Sequence, residues 1–129
     1  MIISIHQPAY LPWLGYFDKI SRSDVFVFLD NVQFEKNSFT NRNFIKSSNG
    51  SLLLTLPVLH KDHMKKKINE ILINNNVKWK LKHFKSIQQN YNKAKNYSIN
   101  IEKMNKLLNL NNNFFSDYCY RQLLFWMNE

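Results

Sequence analysis

The chain opens with Met1-Ile2-Ile3-Ser4-Ile5-His6-Gln7-Pro8-Ala9-Tyr10-Leu11-Pro12-Trp13-Leu14-Gly15-Tyr16-Phe17, and Val25-Phe26-Val27-Phe28-Leu29-Asp30 follows soon after. Ile2 to Ile5 is short and apolar and reads as a strand running into a His-Gln-Pro turn. Leu14 to Ser21 reads as a short helix, and Ser21-Arg22-Ser23-Asp24 as a turn. Val25 to Leu29 is an unbroken apolar run, the pattern of a parallel strand buried on both faces. Strand, helix and strand then make a compact βαβ unit. Ligands of open α/β sheets gather beyond the carboxyl ends of the strands, which is where His6 and Asp30 fall.

Beyond this unit, Arg42 to Lys46 and Leu52 to Val58 flank Ser47-Ser48-Asn49-Gly50, and Asn-Gly is a strong hairpin signal. Pro57 should end or edge the second strand. Leu59 to Lys67 reads as an exposed basic loop and Ile68 to Ile73 as a further strand. From Val77 to Tyr91 the period becomes helical, with Val77, Leu81, Phe84, Ile87 and Tyr91 on one face and Lys78, Lys82, Lys85 and Lys93 opposite. Ser98 to Leu108 and Phe114 to Met127 predict two more helices. The fold class expected is α/β, with a mostly parallel, Rossmann-like sheet of the nucleotidyltransferase kind, an N-terminal βαβ unit, a β-hairpin and C-terminal helices. The 129 residues fit one domain. The amphipathic pattern still runs at Trp126-Met127, without a helix-ending signal, so a longer polypeptide is expected.

Composition narrows the function classes. Hydrophobic residues at 44% support a core, and no apolar run is long enough to cross a bilayer. The first residues read as a strand and lack a signal peptide's basic region and cleavage site, so a cytoplasmic location is expected. With a single cysteine, Cys119, no internal disulfide can form; that residue is expected to be buried packing. The formal charge of +9 favours anionic partners. Lysine and asparagine are abundant throughout, as in Asn74-Asn75-Asn76, which points to a general compositional bias. Nucleic acid is not the partner expected, because the lysine face of residues 78–93 lacks interleaved aromatics for base stacking. With only two glycines, Gly15 and Gly50, neither a Gly-x-Gly-x-x-Gly fingerprint nor a Walker loop can exist.

Candidate chemistry clusters near the N-terminus. His6, as a histidine, suits a general base or phosphate ligand, or is satisfied by backbone groups at a strand end. Gln7 can fix a polar group or close the turn, and Pro8 and Pro12 stiffen the loop. Tyr10, Trp13 and Tyr16 can stack on a ring or sugar face, or form a core cluster. Gln33 with Asn41-Arg42-Asn43 forms a polar segment in which Arg42 offers a planar fork for phosphate or carboxylate. Lys19 and Lys46 add positive charge, and Asp30 can cap or orient. His60, Asp62 and His63 lack a helical i, i+4 histidine pair, and no metal is expected. No particular cofactor and no oligomeric state is legible.

His6-Gln7-Pro8-x-Tyr10-Leu11-Pro12-Trp13-x-Gly15-Tyr16-Phe17-x-Lys19-Ile20 resembles the opening of the WbqC-like family. So do Asp24 through Asp30-x-Val32-Gln33-Phe34, Asn41-Arg42-Asn43-x-Ile45-Lys46 and Leu54-Thr55-x-Pro57-Val58. The likeness resumes at Trp79, Lys82-His83-Phe84 and Gln89-Asn90-Tyr91, and runs faintly to Trp126. Members of that family tend to be close to twice this length. The resemblance implies a role in bacterial O-antigen or other surface-polysaccharide clusters, with acyl or aminoacyl transfer to a nucleotide-linked aminosugar. The implied partners are small anionic molecules, a nucleotide-sugar or an activated acyl donor. Alternatives are a non-catalytic nucleotide- or carbohydrate-binding module and a nucleotidyltransferase-like enzyme. The opening is also similar to pantothenate-synthetase-like nucleotidyltransferases. Their second histidine is missing here, where Ala9 stands, so that similarity bears on the α/β fold more than on adenylyl transfer.

Overall fold

The computed structural model describes residues 1–59, 61 and 65–129. His60, Asp62 and His63, the weak metal-cluster residues of the sequence, lie outside the described residues. The elements run β1 (Ile3–His6), α1 (Leu14–Ser21), β2 (Val25–Phe28), β3 (Arg42–Ser47), β4 (Gly50–Thr55), a 3-10 turn (Ile68–Glu70), α2 (Trp79–Tyr91), α3 (Tyr97–Leu108) and α4 (Phe115–Met127). β1 and β2 pair in parallel, with Ile3 opposite Val25 and His6 opposite Phe28. β3 and β4 form the expected antiparallel hairpin, closed at Ser47 and Gly50. Gly50 sits at φ 112, a conformation that favours glycine.

The architecture is α/β, but the sheet is smaller than expected. Two separate two-stranded sheets replace a mostly parallel one. The strand expected over Ile68 to Ile73 is instead a 3-10 turn followed by isolated bridges, Ile73 to Val58 and Leu72 to Phe114. Its apolar residues satisfy the tighter spacing: Ile68 and Ile71 are buried, and Glu70 folds back so that its carboxylate accepts from the Lys67 N–H at 2.8 Å. β4 ends at Thr55, before Pro57.

The expectation that β2 is buried on both faces is corrected as well. Ser4, His6, Phe26 and Phe28 are at least half-buried on the face covered by α1 and α4, where Tyr16 meets Phe26 and Tyr120 meets Phe28. On the other face Ile3, Ile5, Val25 and Val27 remain 53%, 50%, 45% and 38% exposed. No described element packs on that side to exclude water from it.

The main core gathers Tyr10, Leu54, Leu56, Ile68, Trp79 and Tyr118 among its members, binding the hairpin, α2 and α4 together. Cys119 is buried there, as expected. α2 begins two residues later than the periodicity suggests. Its buried stripe is Trp79, His83 and Ile87, whereas Val77 and Leu81 are half-exposed. The wheel misplaced the stripe because it counted neither Trp79 nor His83 as an inward residue. Among the described residues no helix is long and apolar enough to cross a membrane.

Candidate functional site

The His-Gln-Pro-Ala-Tyr-Leu-Pro-Trp segment leaves β1 and crosses the molecule before α1 begins. Within it Pro8, Ala9 and Tyr10 are buried. Leu11 takes φ 48, a left-handed conformation costing a residue with a Cβ about 1–2 kcal/mol. Two carboxamides hold it there. The Leu11 N–H donates to Gln122 Oε1 at 2.9 Å, and the Leu11 carbonyl accepts from Asn43 Nδ2 at 2.6 Å. Asn43 Oδ1 in turn accepts from the Phe44 N–H at 2.8 Å. Backbone strain pinned from two sides is characteristic of binding loops.

Beside this turn lies a groove of about 780 Å³, walled by Leu11, Pro12 and Trp13, by β3 at Asn43 to Ile45, by one face of α2 and α3, and by Trp126. A smaller hollow of about 320 Å³ shares Leu11, Pro12 and Trp126 with it. Trp13, Tyr91, Tyr97 and Trp126 supply aromatic surface. Trp13 is half-exposed, and Gly15 makes its position possible: a Cβ on residue 15 would meet the indole Nε1 at 3.0 Å. A second open cavity, of about 610 Å³, lies between the start of α2 and Asn109 to Asn113, but none of the N-terminal motif reaches it.

His6 stands behind Trp13, with ring centroids 5.4 Å apart, and against Tyr16 at 4.7 Å. Its Nδ1 lies 2.9 Å from the Gln7 carbonyl, which can only accept, so Nδ1 carries the proton. Neutral His6 therefore keeps its lone pair on Nε2, the nitrogen left to act as a base. The Gln7 carbonyl also accepts from the Tyr16 hydroxyl at 3.0 Å. Burial pushes the Tyr16 phenol far above its usual range, so it stays a donor.

Of the residues expected at the site, the structure brings Trp13 and Asn43 to the groove and His6 next to Trp13. It places the others elsewhere. Tyr10, expected as a stacking platform, is 1% exposed, and its hydroxyl meets His83 Nδ1 at 2.7 Å. The Arg42 fork closes its own loop, Nε donating to the Ser38 carbonyl at 3.2 Å and Nη2 to that of Asn37, with Phe39 beneath it. Asn41 Nδ2 donates to the Leu56 carbonyl at 2.9 Å. Asp30 accepts from Ser116 Oγ at 2.7 Å, and Lys19 Nζ donates to the Ile5 carbonyl at 2.6 Å. Gln33 bridges to Lys67. Lys46 is exposed, and its N–H donates to the Tyr91 hydroxyl at 2.9 Å. Sequence gives no site role to Gln122, Tyr91 or Trp126, because only tertiary packing brings Gln122 to Leu11 and the two aromatics to the same groove. Among the described residues no group of three or more histidine, cysteine, aspartate or glutamate side chains is placed to hold a metal.

The motif that builds this turn and its supports is the one that carries the family likeness, and the WbqC-like protein family matches residues 7–129, nearly the whole chain. The chain belongs to the WbqC-like protein family. An uncharacterized protein of Mycobacterium tuberculosis (strain ATCC 25618 / H37Rv), Rv1507c, is 38% identical over 96 residues, covering 74% of this chain and 41% of that relative. The WbqC-like chain thus spans less than half the length of the curated relative it matches. No solved structure matches it.

Proposed function

We propose that this WbqC-like chain forms the substrate-binding part of a transferase that moves an acyl or aminoacyl group onto a nucleotide-linked aminosugar. Its setting is bacterial O-antigen, lipopolysaccharide or related surface-polysaccharide biosynthesis in the cytoplasm. The observation that carries this reading is the aromatic groove beside the pinned Leu11 turn, with His6 behind Trp13 and its Nε2 lone pair free. In this mechanism His6 Nε2 takes a proton from the sugar amine as its nitrogen attacks the acyl carbonyl. A C–N bond forms, the bond from carbonyl to leaving group breaks, and the leaving group departs with that electron pair. Trp13 is the platform for a sugar or base ring. Lys95 at the groove, in place of the internally committed Arg42, offers positive charge to an anionic substrate. The parallel β1–β2 pair is read as part of a Rossmann-like sheet.

The test is a coupled assay with nucleotide-linked aminosugars and acyl or aminoacyl donors. His6→Gln should abolish product while leaving the thermal midpoint unchanged; turnover that survives this change overturns the base role. A second reading is a binding module without chemistry. It is favoured by the internal hydrogen bonds that occupy Arg42, Lys19 and Asp30. Saturable sugar-nucleotide binding with no product from any donor would establish it.

A further inference from the structure

The groove is not lined evenly. Leu11, Ile45, Ile87, Ile101, Met104 and Trp126 give it a long apolar floor drawn from the N-terminal turn, β3, α2, α3 and α4. Of its polar lining, Asn43 is already bonded through both carboxamide atoms. The Tyr91 hydroxyl accepts from the Lys46 N–H, Tyr97 adds a second hydroxyl, and Lys95, Asn96 and Asn100, between the end of α2 and the first turn of α3, are exposed. On α3 the sequence Tyr97, Asn100, Ile101, Met104 lies on one helical face, so the lining passes from polar to apolar along the helix.

Such a gradient selects among substrates. A sugar carries hydroxyls all round, and each one buried against isoleucine or methionine without a partner is unfavourable. An aliphatic chain has the opposite preference. A single cation with two carboxamides at one end matches the head of an activated acyl donor, an acyl phosphate or a thioester whose carrier bears phosphate, and a carboxylate is its simplest probe.

We propose that the groove takes the aliphatic chain of the acyl donor, with its polar head at Lys95, Asn96 and Asn100. This rests on the acyl-transfer reading and narrows it. The group transferred is a fatty acyl group of several carbons, not an aminoacyl group, and the aminosugar approaches from the His6 side of Trp13.

The experiment is calorimetric titration of the full chain with butanoate, hexanoate, octanoate and decanoate, each below its micellar range, and in parallel with a nucleotide-linked aminosugar. The expected result is a tightening of about fourfold per added methylene (about 0.8 kcal/mol) until the groove is filled. Met104→Trp, which fills the floor, should remove that dependence. Lys95→Glu, an exposed change, should weaken every member of the series while keeping its slope. A flat series, or a slope that persists in Met104→Trp, overturns the proposal. If the aminosugar nucleotide still binds in that case, the transferase reading survives and only the placement of the acyl chain fails. If neither probe binds, both fail.

Discussion

The Asn43 carboxamide donates to the Leu11 carbonyl at 2.6 Å and so ties β3 to a residue at φ 48. Removing the donor as Asn43→Ala leaves that half-buried carbonyl unpaired and should cost about 1–2 kcal/mol. Glycine at position 11 holds the left-handed turn without help. In a double-mutant cycle with Leu11→Gly, Asn43→Ala should therefore cost at least about 0.5 kcal/mol less. Urea unfolding of the four proteins measures this, and strict additivity would show that Asn43 does not hold the turn.

Gln122 is fully buried and only half used. Oε1 accepts from Leu11, whereas Nε2 has no hydrogen-bond partner among the described residues. Gln122→Leu loses one bond and also relieves an unpaired buried donor. It should cost about 1 kcal/mol or less. Gln122→Glu places a carboxylate in the same site and should cost considerably more. The order of the two unfolding midpoints decides the point.

His83 is 3% exposed, and burial, helped by the neighbouring Lys82 charge, lowers its pKa to about 4. The unfolded value is about 6.5. Between the two, the unfolded chain binds more protons than the folded one, so this contribution is whole above pH ~6.5 and is lost as pH falls toward ~4. The loss should be on the order of 3 kcal/mol at most. Denaturation midpoints recorded across this window should flatten in His83→Gln, which can still bond to the Tyr10 hydroxyl; an unchanged slope would remove His83 as the cause.

Gly15→Ala separates folding from binding. The change favours helix α1 by up to about 1 kcal/mol, yet the new methyl crowds the Trp13 indole at 3.0 Å and 3.2 Å. Because Trp13 is half-exposed it can swing away. The thermal midpoint should hold or rise while affinity for any ligand of the groove falls, and equal affinity would show that the indole's position is immaterial.

Ile5 and Val27 lie opposite each other on the uncovered face of the parallel pair. Threonine keeps the β-branch and adds a hydroxyl that water can satisfy there. Ile5→Thr with Val27→Thr should change stability by no more than about 0.5 kcal/mol per site and reduce self-association seen by light scattering. A large destabilisation would mean that the face is covered in solution.

The N-terminal βαβ unit and the hairpin were legible because each is local: apolar runs bounded by turn residues, and Asn-Gly between two strands. The open face of β2 was not, since an unbroken apolar run signals burial without saying whether the burying partner is present. Ile68 to Ile73 misled because isoleucines spaced by three and then two fit a strand as readily as a 3-10 turn followed by extended chain. Within the site, Trp13, Asn43 and the placing of His6 followed from the motif. Arg42 and Asp30 are not free ligands here: the Arg42 fork is taken by backbone carbonyls at Asn37 and Ser38, which any residue type supplies, and Asp30 by Ser116, 86 positions away. Gln122 and His83 lie 111 and 73 residues from the partners that give them meaning.

That separation also sets an order of assembly. A ribosome delivers the His-Gln-Pro segment before the hairpin and α4, and β1, α1 and β2 can associate at once because their contacts are close in sequence. Leu11 then waits, acquiring its bond from Asn43 after the hairpin forms and its bond from Gln122 only when α4 has docked. The motif is thus made ahead of the residues that complete it, and a nascent or nicked chain without α4 carries the signature residues without a finished groove. Ligand binding at this turn therefore reports that α4 has reached its place.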